Sequence, residues 1–261
     1  MKSLRRPAIA GLALAAALVA GGCGSSDKPD PAAPETTAPT TAPTTAPASA
    51  SEELTAAYAK FSDTPVKFKL TASGGVGGTG AIDAKAKASE MSTDLGPAGS
   101  MITRQIGKDL YVKTKGQVGT ATGATEGKWM HIDVSQVPES SPISIKNTDP
   151  ANTAKLITTA TEVTRTGDHA FKGTLDMTKA ATANAAMLKS LGDKAAAVPF
   201  TAQTDAEGRL TELSVDLESL MKGAGKMVAT YSGWGVPVDI VQPAAGEVTE
   251  MPQKFRKAMG A

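Results

Sequence analysis

The sequence predicts one α+β domain, about ten antiparallel strands interrupted by two or three helices, carried behind an N-terminal tether. Three observations predict it. Between residues 66 and 134, apolar and polar residues alternate in five short runs separated by Gly, Pro and Asp turns. That period of two marks strands with one apolar and one wet face. Three other segments break the alternation with helical spacing and recognisable caps. The first fifty residues form no core, because they comprise a leader-like run and a Pro/Thr/Ala stretch. At 261 residues, 41% hydrophobic and 20% charged, the composition is that of a soluble globular chain of one or at most two domains.

The chain opens with Lys2, Arg5 and Arg6 and no acid, then runs apolar from Pro7 to Val19. A basic start followed by about 13 apolar residues fits a secretory signal and is too short to span a bilayer. The run ends Gly21-Gly22-Cys23-Gly24-Ser25, which resembles the lipobox of bacterial lipoproteins. The resemblance implies a signal peptide over 1–22 and a diacylglyceryl-modified (palmitate-bearing) Cys23 as the mature N-terminus. Two or three acyl chains anchor stably where one does not, so the expected location is the outer face of the cytoplasmic membrane, in the cell envelope. Removing the leader takes away three basic residues, so the net charge of +1 becomes slightly acidic. Residues 24–50, with Thr-Thr-Ala-Pro recurring between Thr36 and Pro47, contain no large apolar side chain. They read as a disordered spacer of about 3.1 Å per residue when extended, roughly 80 Å in all.

The folded domain is expected over 51–250, with 251–261 as a tail. Leu54, Ala57, Tyr58 and Phe61 lie at helical spacing behind Ser51 as N-cap, and Pro65 stops that helix. Strands follow around Val66–Leu70, through the small-residue stretch Gly75–Gly80, then at Ser89–Leu95, Ser100–Ile106, Asp109–Thr114 and Lys128–Val134. Gly116–Gly127 reads as a long turn. Asp149-Pro150-Ala151-Asn152 starts a helix leading into Leu156 and Ile157. Strands at Glu162–Thr166 and His169–Met177 precede a second helix over Lys179–Leu191, with Gly192 as its C-cap. Val198–Thr204 and Arg209–Leu217 flank a turn at Asp205–Gly208, and Lys226–Ser232 and Val236–Val241 close the set.

The search for chemistry is mostly negative. One cysteine cannot close a disulfide within the chain or build a cysteine zinc site, and two histidines argue against a histidine-rich metal centre. The near-neutral charge argues against a nucleic-acid partner. Gly75-Val76-Gly77-Gly78-Thr79-Gly80 matches a dinucleotide fingerprint in letters only. The residues after it offer one large apolar side chain, Ile82, too few for the helix that motif requires. Ser219-Leu220-Met221-Lys222 fits S-x-x-K without its companion motifs. His131 and His169 read as solvated strand residues. The expectation is therefore a protein that is not an enzyme, with no cofactor and no metal.

Two stretches carry a resemblance. Asp109-Leu110-Tyr111-Val112-Lys113 followed by Gly127-Lys128-Trp129-Met130-His131-Ile132-Asp133, and the later Tyr231-Ser232-Gly233-Trp234-Gly235-Val236-Pro237-Val238-Asp239-Ile240, resemble LppX/LprG-type actinobacterial lipoproteins. The resemblance implies a LolA/LolB-like fold: a strongly curved antiparallel sheet, a half-open barrel packed on two to four helices around an apolar cavity. It also implies binding of acylated lipids or glycolipids, carried or presented in the envelope. The alternative is a structural or interaction lipoprotein of the same fold with a filled interior and an envelope protein partner. On alternation, the cavity candidates on the first strands are Val66, Phe68, Leu70, Met91, Leu95, Leu110, Val112 and Ile132. The helices contribute Leu156, Ile157, Met187, Leu188 and Leu191, and the last strands Phe200, Leu213, Val215, Val228 and Tyr231. Deformable Met and Leu side chains suit a variable lipid.

Overall fold

Ser49 begins the first helix, α1 (Ala50–Ala59), by accepting the Glu52 N–H while the Glu52 carboxylate accepts the Ser49 N–H, at 3.2 and 2.8 Å. The reciprocal pair is a capping box. It sets the start two residues before Ser51, because only Ser49 has a glutamate three residues on. The computed structural model describes residues 48–73, 75, 77–138, 141, 157–179 and 191–258. All of them belong to the unit Ala46–Ala261. Cys23, Leu156, Met187 and Leu188 lie outside the described residues, as do the signal, the tether, the helix start at 149–152 and the body of the helix expected over 179–191.

Twelve strands follow: β1 (Val66–Ala72), β2 (Gly77–Asp83), β3 (Ala88–Asp94), β4 (Ser100–Ile106), β5 (Asp109–Lys115), β6 (Trp129–Asp133), β7 (Ala160–Gly167), β8 (Ala170–Leu175), β9 (Val198–Thr204), β10 (Leu210–Asp216), β11 (Lys226–Ser232) and β12 (Val248–Glu250). They form one curved open sheet in the order β12-β6-β5-β4-β3-β2-β1-β11-β10-β9-β8-β7. Sheets this wide curl rather than stay flat. The count exceeds the expected ten, and among the described residues β12 and β7 each pair on one side only, so the sheet does not close. β1 to β6 and β7 to β11 are two antiparallel meanders, joined where β1 pairs with β11, Lys67 opposite Ser232. Among the described strands, only β12 runs parallel to its neighbour, β6.

Three sequence expectations are corrected. Gly116–Gly127 is not all turn: Gly116 and Gly123, at φ +81° and +76°, bracket a short helix, α2 (Gln117–Thr122). Val236–Val241 is not a strand. Pro237 lacks an N–H, and the segment crosses the outer face of the sheet instead of joining it. Gly235 N–H donates to the Pro65 carbonyl beside β1, the Arg104 guanidinium of β4 donates to the Val241 carbonyl, and Lys128 Nζ reaches the Gly246 carbonyl at 2.7 Å. Residues 251–258 are not a loose tail, because α3 (Gln253–Ala258) buries Phe255 beside the buried Met251.

Strand registers define an inner face, on which α1 packs, and an outer face. Two apolar clusters sit on the inner face. Leu54, Tyr58 and Phe61 close over Val66, Phe171, Phe200, Leu213 and Val215, with Ile157 and half-buried Tyr231 beside them. The second cluster gathers Leu110, Val112, Met130, Val134, Met251 and Phe255, with Ile132 packed against it. Val228 is a correction: it pairs with Thr71 and Ser214 and faces outward. It lies three residues from Tyr231, and an odd separation within a strand puts two side chains on opposite faces.

Candidate functional site

Between the two clusters the inner face changes character. Phe68, Leu70 and Met91 point inward, are half-buried, and belong to neither cluster. Their neighbours are glycines: Phe68 and Met91 both face Gly80, and Leu70 faces Gly78. A Cβ at Gly80 would lie 2.5 Å from Phe68 Cζ, and one at Gly78 would lie 2.9 Å from Met91 Cε. Each glycine thus makes room for the large side chain of the adjacent strand to lie across it. Gly78 and Gly80 are the floor of this apolar patch.

The remaining candidates divide by position. Val66, Leu110, Val112, Ile157, Phe200, Leu213 and Val215 are buried in the clusters, whereas Leu95 and Leu191 are half-buried beyond the strands. The patch is therefore brought together from Phe68, Leu70 and Met91. Burial pushes the Tyr231 hydroxyl up to about 12 and Tyr58 well above its ordinary value, with Tyr231 adding a smaller upward push on Tyr58. Both rings flank Phe61, at 4.9 and 4.8 Å between centroids.

One lateral row of cross-strand partners crosses the inner face through the patch: Leu70, Gly78, Thr93, Met101 and Thr114. It ends at a pocket of about 210 Å³ beside α2, walled by Thr114, Gly116, Gly119 and Ala124 with Lys115 and Glu126. Thr114 is 6% exposed, and its hydroxyl finds no hydrogen-bond partner among the described residues.

The outer face holds a second cavity, of about 400 Å³, between β5, β6, β12 and the crossing segment. His131 Nε2 lies 2.7 Å from Asp109 Oδ1, and its ring rests 4.9 Å from that of Tyr111. Burial first, then the Asp109 charge, raises the Tyr111 hydroxyl against a lowering hydrogen bond from Gln242. Thr249 turns its hydroxyl to the Trp129 carbonyl at 3.3 Å. Beside this cavity, Arg104 lies 4.7 Å over the Trp129 ring, the geometry of a cation–π contact, and also pairs with Glu90. At the strand end, Lys108 and Ser135 hold the Asp133 carboxyl at about 2. Reading His131 as merely solvated misses this arrangement. The available signal was Asp109, Tyr111 and Lys113 on the wet face of one expected strand, opposite Trp129, His131 and Asp133 on the next.

Fold and inner face together define an open-sheet α+β protein with an apolar patch between two cores. No protein-family model and no curated protein sequence matches the chain. Among solved structures, the fold is similar to the crystal structure of the Mycobacterium tuberculosis lipoprotein LppX, with 17% identity, a TM-score of 0.45, and coverage of 74% of this chain and 97% of that chain.

Proposed function

We propose that this chain is a lipid-anchored envelope protein, tethered through Cys23, that binds acyl chains on the inner face of its sheet and carries or presents them. The observation that supports it is the half-buried trio Phe68, Leu70 and Met91, inward-facing yet outside both cores. Such a surface takes acyl chains by desolvation, at about 0.8 kcal/mol per buried CH₂. Affinity then needs no directional contact, and release is a matter of exchange with a membrane or partner rather than bond chemistry. The lipobox-like run and the Pro/Thr spacer support a location at the outer face of the cytoplasmic membrane, with reach set by the spacer.

The test is photolabelling of the full chain in vesicles with a diazirine-bearing palmitate, followed by peptide mapping. Labels on the β1 and β3 peptides, reduced by Met91→Arg, are expected. Labelling confined to the leader and tether would leave the filled-interior, protein-partner reading in its place. In cells, Cys23→Ser should abolish incorporation of labelled palmitate into the chain.

A further inference from the structure

We infer that one end of the sheet docks on the surface of a lipid bilayer, with Met221 of the β10–β11 connection entering the membrane interface, so that acyl chains reach the inner face without crossing water. This rests on the acyl-binding reading above and adds the surface from which the lipid comes. Strand registers bring three connections to that end. Ala72 lies opposite Met227, Gly77 opposite Asp94, Asp94 opposite Ser100, and Asp216 opposite Lys226. The loops that follow β1, β3 and β10 therefore emerge together. Ser73 ties two of them, its hydroxyl accepting the Lys226 N–H at 3.1 Å.

Toward this end the inner face loses its cover among the described residues. Along β1 the inward Val66 is buried, whereas Phe68, Leu70 and Ala72 are half-buried. Met91 on β3 is half-buried too, and Leu95 stands just beyond that strand. The β10–β11 connection is rigid. Leu217 and Leu220 pack against the first cluster and fix its base. The Glu218 carboxylate accepts the Gly223 N–H at 2.9 Å and the Gly225 N–H at 3.0 Å, which closes the turn. Met221 is left 66% exposed, the most exposed large apolar side chain among the described residues. A lone exposed Met is ordinary on a protein surface. One fixed by a closed loop, at the open end of an apolar patch, is placed to enter lipid. Lys222 beside it can bury its stem and keep its ammonium among the headgroups. Lys222 and Lys226 are balanced by Asp216 and Glu218. Charge therefore sets no preference for anionic lipid, and the apolar side chain supplies the contact. Its burial is worth about tenfold in partition, enough to orient a chain that a tether already keeps at the membrane.

The experiment places the full, acylated chain in phosphatidylcholine vesicles. Cys23 is the only cysteine, so its acylation leaves Met221→Cys as the single free thiol, which takes an environment-sensitive nitrobenzoxadiazole label. Blue-shifted emission and protection from iodide are expected at position 221. The control is Lys85→Cys, exposed in the β2–β3 turn at the opposite strand ends, and its label should stay open to iodide. Met221→Asp should cut labelling of the β1 and β3 peptides by vesicle-borne diazirine palmitate about tenfold. Labelling by the same probe delivered on cyclodextrin should not change. Equal quenching at 221 and 85 overturns the docking, and palmitate on β1 and β3 then leaves acyl binding standing. Equal loss by both delivery routes in Met221→Asp also overturns it, because the side chain would then act on the patch itself. Shielding at 221 with no palmitate on β1 or β3 by either route overturns the acyl-binding reading and leaves the membrane contact standing.

Discussion

Replacing Gly80 by alanine should destabilise the protein, although alanine normally favours folding over glycine. The added Cβ would collide with the Glu90 carbonyl oxygen and lie 2.5 Å from Phe68 Cζ and 2.7 Å from Phe68 Cε1. The carbonyl is held in the β2–β3 ladder and cannot retreat without breaking it. Overpacking of this kind costs about 1–3 kcal/mol, against a gain of about 0.4–1 kcal/mol from a less flexible unfolded chain. A net loss of about 1–2 kcal/mol lowers Tm by about 2–8 °C for a domain of this size. Thermal unfolding of the full chain, followed by circular dichroism, measures it. Gly246→Ala is the control: nothing lies within 4 Å of its Cβ position, so Tm should hold or rise slightly. Adding Phe68→Leu should recover part of the Gly80→Ala loss, because it relieves the ring contact but not the carbonyl. A Gly80→Ala protein as stable as wild type would refute the close crossing of Phe68 over β2, and with it the floor of the apolar patch.

The tyrosines give a pH prediction. The unfolded chain loses phenolic protons near pH 10, whereas folded Tyr231 holds its proton to about 12 and Tyr58 and Tyr111 are also raised. The unfolded state therefore binds fewer protons between those values, and unfolding free energy should fall as pH rises from about 10 to 12. Phenolate absorbance at 295 nm and urea melts at pH 9 and 11 check this; a native titration midpoint near 10 for all three would contradict it. Phe255→Ala should cost about 3–5 kcal/mol in a urea melt, since the ring is 4% exposed within the second cluster. A cost below about 0.5 kcal/mol would mean that α3 is not part of the core.

Alternation alone locates β9 at its observed ends, because its residues alternate between buried and exposed along the strand. It misleads at Val236–Val241 for a physical reason: one side of the crossing segment rests on the sheet, which produces alternating burial without a ladder. It also misses β12, three residues long and paired in parallel with a strand more than a hundred residues earlier. The inner-face candidates are legible as far as parity goes, and Val228 fails on parity. What sequence cannot separate is core from patch. Val66 and Phe68 occupy equivalent positions on one strand, yet only Val66 lies under α1's cluster. Alternation puts Asp109 and His131 on the wet faces of neighbouring strands, and the β5–β6 register, set by long-range pairing, then brings the two side chains into contact.

The β1–β11 seam has a consequence for the order of assembly. The first meander closes hairpin by hairpin, and so does the second, but the middle of the sheet requires residues 66–72 to meet residues 226–232. Contacts so distant in sequence form slowly, because the intervening loop must be closed before they contribute any stability. β1 therefore waits at the edge of a half-built sheet until nearly the whole chain has been made. During that interval its inward row of Val66, Phe68 and Leu70 is the surface most in need of a temporary cover.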